Sequence, residues 1–291
     1  MFFSQSDLKI IGLVNSTLEG YLKPQYPEII YDAMNYSVKA GGKRIRATLL
    51  MYSAKLCGGD INDALPFAAA IEMIHTYSLI HDDLPALDND DFRRGQPSNH
   101  KKFGESFALL AGDALLNISY EIMSAVCEKR FEARFVKAMN IIARAAGVTG
   151  MIGGQTADVM FENKTASESE LLYIHSRKTG ALIQAAILAG AEIAEADEHI
   201  RDVLKLLGEK LGLAFQISDD ILDVTASYEK LGKPLKSDEK NAKTTFISLY
   251  GLENAMERYE SLRKDILDLT STLDNGGYFY GYTNNLLSRD C

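Results

Sequence analysis

The chain is 291 residues long, 46% hydrophobic and 24% charged, which is enough apolar material for a large core and excludes disordered, collagen-like and coiled-coil classes. Thirty-one Lys and Arg against forty Asp and Glu give a formal charge of −9, so no global basic field draws nucleic acid or an anionic membrane, and any phosphate site has to be local. The three cysteines, Cys57, Cys127 and Cys291, are widely spaced and form no Cys-x-x-Cys, which argues against a disulfide framework or structural zinc and predicts a reducing, cytoplasmic setting.

Taken in chain order, Met1-Phe2-Phe3 turns polar at Ser4 with no basic stretch ahead of an apolar one, so no signal peptide is expected. Gly41-Gly42 opens a helical run to about Leu56, and Gly58-Gly59-Asp60 breaks it. Further helices are predicted over 61–84, 105–128, 131–146, 197–225 and 251–270. No proline lies between Pro97 and Pro234, and that stretch is dense in good helix formers. Within it, Ser167-Glu168-Ser169-Glu170 is a capping box ahead of Leu171, Ile174, Leu182, Ala185 and Ala189. Ala145–Ala157 and Thr179–Ala191 are apolar nearly all round, the pattern of helices surrounded by others. The longest uncharged run, Asn275–Ser288, is fourteen residues against the roughly twenty a spanning helix needs, so no membrane span is expected. Strand patterns are scarce and no linker divides the chain, which predicts one all-α domain over residues 1–291.

Two aspartate clusters carry the strongest chemical signal: Asp82-Asp83-Leu-Pro-Ala-Leu-Asp88 and Asp219-Asp220-Ile-Leu-Asp223, each expected at the end of an apolar helical run. Asp219 and Asp223 are four apart and Asp220 and Asp223 three apart, so their carboxylates share one helix face and repel unless a cation lies between them. Few hard oxygen ligands with room for water suit magnesium that also holds substrate phosphates. Pro85 breaks the first helix, so Asp88 returns toward Asp82 from a bent segment. A calcium loop at Asp88-Asn89-Asp90-Asp91 fails, because Phe92 takes the next ligand position and no glutamate closes twelve residues.

The basic residues follow a matching logic. Gly41-Gly42-Lys43-Arg44-Ile45-Arg46, Arg93-Arg94-Gly95, Lys178-Thr179 and Lys233 are local anion sites in an acidic protein, and Lys43 and Arg46 share a helical face. Phosphate bridged by metal on one side and by Arg and Lys on another accounts for both sets. His75, His81 and His100 fall in the same region, and the adjacent His81-Asp82 raises a rival metal-dependent phosphohydrolase. Gln155, Asp158 and Gln216 are candidate cavity-lining polar groups.

Asp82-Asp83-x4-Asp88-x4-Arg93-Arg94-Gly95 and Phe215-Gln216-Ile-Ser-Asp219-Asp220-Ile-Leu-Asp223 resemble the two aspartate-rich motifs of trans-isoprenyl diphosphate synthases. The order Gly-Gly-Lys-Arg-x-Arg, first motif, Lys-Thr, second motif, Gly-Lys agrees, and the resemblance covers residues of about 35 to 250. Ala47 departs from it, since family members usually have proline there, and the tyrosine-rich tail after Gly276 looks idiosyncratic.

The resemblance implies a bundle of about ten core helices around a deep cavity, a homodimer, and aspartate motifs that face each other across the cavity mouth. Carried over position by position, Asp82, Asp88 and Asp219, supported by Asp83 and Asp223, would hold magnesium on an allylic diphosphate. Arg93, Lys178 and Lys233 would hold that diphosphate, and Lys43, Arg46, His75 and Arg94 isopentenyl diphosphate. Lys178, Thr179 and Gln216 would face the reacting carbon and stabilise its developing charge. Tyr77 lies five residues before Asp82, about 7.5 Å deeper at 1.5 Å per residue, so with Ser78 beside it the ring would set product length. The resemblance is closest to farnesyl diphosphate synthases. Geranylgeranyl diphosphate synthesis and, in another class, the His81-Asp82 phosphohydrolase are the alternatives; a terpene cyclase and a non-catalytic partner subunit fit less of the pattern.

Overall fold

The computed structural model describes residues 3–231, 244–274 and 276–288, and is helical almost throughout, as expected. Its backbone divides into two units: Gln5–Ile142 with Ala189–Glu195, and Met1–Ser4 with Ala143–Leu188 and Ala196–Cys291.

The first unit is built around α4 (Ile61–Asp82). Its N-cap is Asp60, whose side chain accepts from the Asn62 amide at 2.8 Å. Phe67, Ile71, Met73 and Ile74 are fully buried, and the small run Ala68–Ala70 lets α3 (Ile45–Leu56) and α6 (Glu105–Arg130) approach closely. The helix stops at Asp82, just short of Pro85, whose ring disfavours a helical Leu84. Two helices before Gly41 were not predicted, although Ser4-Gln5-Ser6-Asp7 and Pro27 mark their starts. In α1 (Gln5–Tyr21), Ile10, Val14 and Leu18 form a buried stripe four residues apart, and Asp7 accepts the Tyr52 hydroxyl at 2.5 Å. The other is α2 (Glu28–Lys39).

After α4 comes a two-residue hairpin, β1 (Phe92–Arg93) antiparallel to β2 (Gln96–Pro97), with Arg93 opposite Gln96. Arg94 and Gly95 turn it with φ of 53° and 76°, the left-handed pair of a tight hairpin turn. The short α5 (Asn99–Phe103) leads into α6, and α7 (Ala133–Ala146) follows.

In the second unit, α8 (Met151–Met160) packs on α9 (Glu168–Ile174) and on the π-helical turn His175–Gly180, which runs into α10 (Ala181–Ile193). The expected capping box is formed: Ser167 Oγ accepts from the Glu170 amide and the Glu170 carboxylate from the Ser167 amide. The long α11 (Glu198–Leu231) carries the second aspartate cluster well inside it rather than at its end. Helix Leu252–Leu273 packs along α11, and the tail forms a helix, Tyr278–Leu287, on Leu252–Leu273. Phe279, Tyr282, Leu286 and Leu287 bury one face of that tail, and the Tyr259 hydroxyl donates to the Leu287 carbonyl at 2.6 Å.

The expectation for Ala145–Ala157 is corrected. A turn at 147–150 interrupts the segment, Val148 is 76% exposed, and α8 presents Ile152, Val159 and Met160 to solvent, so it is covered on one side only. Thr179–Ala191 holds up, with Leu182, Ile183, Ala186, Ile187, Ala189 and Ala191 all buried. Two stretches, Glu105–Arg130 and Ala133–Met160, reach the length and apolarity of a membrane-crossing helix. The first carries Asp113 and Glu121 midway, costly in hydrocarbon, and the second is broken by that turn.

Candidate active site

In the first unit, the face of α4 that ends in Asp82 carries His75, Ser78 and Asp82 at helical spacing. Beyond it the chain doubles back: the Asp88 amide donates to the Asp82 carbonyl at 2.9 Å, so the backbones of these two half-buried aspartates meet, as expected from Pro85. Asp83 points the other way. It is buried and takes both Nε, at 3.0 Å, and Nη2 of Arg93, while Arg93 reaches Asp90 at 3.4 Å. Burial pushes the Asp83 carboxyl above its usual range and the Arg93 guanidinium works against that shift. This pair fixes the hairpin to the end of α4, so Asp83 and Arg93 serve each other in this structure.

The hairpin turn brings Arg94 over the Gly41–Arg46 loop, where it donates to the Gly41 carbonyl. Gly42 has φ of 129°, and a β-carbon there would lie 2.8 Å from the Arg94 guanidinium carbon, so only glycine suits the position. Lys43 is exposed on the loop and Arg46 half-buried in the first turn of α3. His75 feels them together: its pKa is held well below the usual range first by desolvation and then by Arg46, Arg94, Arg44 and Arg93. The imidazole is therefore neutral among guanidinium groups. Three residues assigned from sequence to one diphosphate, Arg46, His75 and Arg94, stand in one electrostatic neighbourhood, a ready anion site.

His81 does not share Asp82's surroundings. Its Nε2 lies 3.0 Å from the Leu109 carbonyl of α6, over Gly112, whose missing side chain leaves room for the ring. Tyr77, one turn earlier, meets the His81 ring edge-on with centroids 5.7 Å apart.

In the second unit, Lys178 and Thr179 lie on the π-helical turn. That turn is held from both sides by glycine. A β-carbon on Gly154 of α8 would run into the Lys178 backbone nitrogen, and one on Gly212 of α11 would lie 2.6 Å from the Gly180 Cα. Lys178 Nζ pairs with the Asp158 carboxylate at 2.7 Å. Three residues ahead, His175 is buried against the Phe246 ring at 5.5 Å, and burial lowers its pKa to about 4. Phe246 is itself tied to α11, its amide donating to Asp220 at 2.7 Å.

Gln216, Asp219 and Asp223 follow one face of α11, the first two half-buried and Asp223 exposed. The Gln155 amide is buried with no hydrogen-bond partner among the described residues. Lys233 lies outside the described residues. Arg44, expected with its run to form an anion site, is instead buried beside Glu72, and Glu72, a lone acid in the apolar run Ala64–Ile74, was missed.

Among the described residues, no three His, Cys, Asp or Glu side chains are grouped to hold a metal ion by themselves. The donors on offer are carboxylate oxygens in small number in each unit, Asp82 and Asp88 in the first and Asp219 and Asp223 in the second. Such small oxygen sets fit magnesium, which keeps waters and substrate phosphates in its shell, and do not fit a closed metal cage.

The polyprenyl synthetase family model matches residues 27–275. The chain belongs to the polyprenyl synthetase family. It is 47% identical over 247 residues to a farnesyl diphosphate synthase of Geobacillus stearothermophilus, covering 84% of this chain and 83% of that enzyme. It is 43% identical over 264 residues to a geranylgeranyl diphosphate synthase of Cyanophora paradoxa, covering 90% and 88%. Among solved structures, an FPP/GFPP synthase from Zymomonas mobilis superposes with a TM-score of 0.84 at 33% identity, over 97% of this chain and 96% of that one. A geranyltransferase from Helicobacter pylori, complexed with magnesium and isoprenyl diphosphate, has a TM-score of 0.79 at 32% identity, over 98% and 97%. The family match at 27–275 spans both Asp-rich clusters and the basic runs, whereas the His81-Asp82 hydrolase reading leaves Asp219 and Asp223 without a role.

Proposed function

We propose that this polyprenyl synthetase condenses isopentenyl diphosphate head-to-tail with dimethylallyl and then geranyl diphosphate, giving farnesyl diphosphate and releasing diphosphate. The observation that carries the reading is the juxtaposition, at one end of α4, of the Asp82–Asp88 return with the guanidinium groups around His75. Identity of 47% to a farnesyl diphosphate synthase supports the product.

Asp82 and Asp88, and Asp219 and Asp223, would hold magnesium on the allylic diphosphate. When bound, the metal neutralises charge on the leaving diphosphate. Arg93, Lys178 and Lys233 bind the same group, and Asp158 keeps the Lys178 ammonium directed. Lys43, Arg46 and Arg94 bind the diphosphate of isopentenyl diphosphate, and neutral His75 adds a hydrogen bond. The allylic carbon–oxygen bond breaks, and Thr179 and Gln216 oxygens stabilise the cation. The isopentenyl double bond attacks that cation, and the proton lost from the adduct passes to the departed diphosphate. We further propose that residues 1–291 form a single catalytic domain, supported by a family match that runs through both units. A homodimer is supported by the exposed apolar side chains Phe107, Leu109 and Leu110 on α6. We also propose a cytoplasmic location, which the water-soluble diphosphate starters of this reading support.

Purified protein with magnesium, isopentenyl diphosphate and either allylic starter is expected to give farnesol after dephosphorylation, and chelation with EDTA to stop the reaction. Failure of both starters would refute the reading.

Chain length is assigned to Tyr77 and Ser78. Tyr77 is 5% exposed, its hydroxyl has no hydrogen-bond partner among the described residues, and burial raises its pKa to about 12. The ring, packed edge-on against His81, would limit the growing chain from beside α4, with Ser78, on the Asp82 face, at the next level. Tyr77→Ala is expected to shift the main product from fifteen to twenty or more carbons, because it removes a ring from a channel that grows by about 1.5 Å per helical residue. Product analysis by mass checks this, and an unchanged distribution would remove the role.

A further inference from the structure

We propose that Glu72 is the positioning residue for the loop that binds isopentenyl diphosphate, acting as an N-terminal cap on α3 delivered from α4. The inference rests on the reading above, in which Lys43, Arg46 and Arg94 hold that substrate's diphosphate.

The loop ends at Arg44, the N-cap of α3, whose backbone is left-handed with φ of 49°. A non-glycine residue holds that conformation at a cost of about 1 kcal/mol and needs surroundings that enforce it. Here the side chain turns inward. Its Nη2 donates to the Val38 carbonyl at the end of α2 at 2.6 Å, its Nε to Asn15 of α1 at 2.8 Å, and its Nη1 lies 3.7 Å from Glu72 Oε2. Both partners of this ion pair are buried, at 5% and 4% side-chain exposure. Arg44 thus ties the loop to three helices while Lys43, beside it, stays exposed.

The second oxygen of Glu72 does a separate task. The first amides of a helix have no partner within it, and those that are buried need one from elsewhere. Ala47 is fully buried at the third position of α3, and its amide donates to Glu72 Oε1 at 3.1 Å. A proline at this position would bring no amide, whereas alanine brings a donor that Glu72 satisfies, so the loop is fastened by an ion pair through Arg44 and by a hydrogen bond through Ala47. Arg46 lies between those two attachments, so its direction depends on both. The Glu72 charge also acts on Arg94, the cation on the other side of the loop.

Glu72→Gln keeps an acceptor for the Ala47 amide but leaves Arg44 buried without a counter-charge. Ala47→Pro deletes the donor at a first-turn position that proline tolerates and leaves the ion pair intact. The expected result is a rise in KM for isopentenyl diphosphate of about tenfold for Glu72→Gln and about threefold for Ala47→Pro, with KM for geranyl diphosphate within twofold of wild type. Calorimetric binding of inorganic pyrophosphate to the magnesium-free protein should weaken in parallel. If Glu72→Gln does not fold, Ala47→Pro decides alone. Unchanged KM for isopentenyl diphosphate in Ala47→Pro, or equal changes for both substrates in either variant, would overturn the positioning role while wild-type condensation left the functional reading standing. A wild-type protein that carries out no condensation would remove the reading itself.

Discussion

Replacing Asp219 by alanine is expected to lower kcat by about a thousandfold or more at saturating magnesium, the scale lost when charge stabilisation of a leaving group is removed. Asp219 is half-buried on the same face of α11 as Gln216 and Asp223. Alanine is the better helix former, so the backbone of α11 is kept and the loss is read in turnover. Turnover near wild type would eliminate the second cluster from the chemistry. Asp83 provides the contrast. Its carboxylate is buried against Arg93, so its loss would act through the fold of the hairpin as well as through the site.

Gly154→Ala is expected to cost about a hundredfold in kcat although Gly154 touches no substrate in this scheme. A β-carbon there would meet the Lys178 backbone nitrogen and lie 2.7 Å from the Lys178 Cα. Backbone has to yield, because neither neighbour is a flexible side-chain tip. The π-helical turn is blocked on its other side by α11, where Gly212 already approaches Gly180 without a side chain between them. The strain therefore displaces Lys178 and Thr179. Displacement of a positioning group by about 1 Å is enough for a hundredfold loss, and overpacking of this kind destabilises by about 1–3 kcal/mol. Steady-state kinetics with geranyl diphosphate and a melting curve measure both. Full activity would mean that the turn is not the platform on which Lys178 is held.

Much of the architecture was legible in the sequence because helices announce themselves by punctuation. Asp60, the box at Ser167 and Glu170, and Pro85 each gave a boundary within a few residues of the one observed. What was missed depends more on distant partners than on such marks. Helix α1 is held by three apolar residues and by Asp7 bonded to Tyr52, a partner forty-five positions away that no local pattern reveals. The hairpin that aims Arg93 and Arg94 is two residues per strand, too short for alternation to register. The outward face of α8 went wrong for a related reason: apolar composition does not distinguish a helix enclosed by its own chain from one that exposes Ile152 and Met160.

In the site, residue types and spacing pointed to the metal and phosphate chemistry, and the face shared by His75, Ser78 and Asp82 follows from helical periodicity alone. The pairings did not. That Asp83 is taken by Arg93, Lys178 by Asp158 and the Ala47 amide by Glu72 depends on contacts between elements distant in the chain. A single charged residue in an apolar run, as at Glu72, was the available signal, and it marks a buried obligation without naming the partner.

The central claim is that the allylic diphosphate leaves only to make a carbon–carbon bond with isopentenyl diphosphate. The most direct test is the stoichiometry of released diphosphate with geranyl diphosphate and magnesium, with and without isopentenyl diphosphate, while the fifteen-carbon product is followed in the same quenched samples. One diphosphate released per farnesyl diphosphate formed, and negligible release when isopentenyl diphosphate is omitted, is the predicted result. Release of phosphate or diphosphate at the same rate from either substrate alone, with no fifteen-carbon product, would contradict the account and leave a hydrolase.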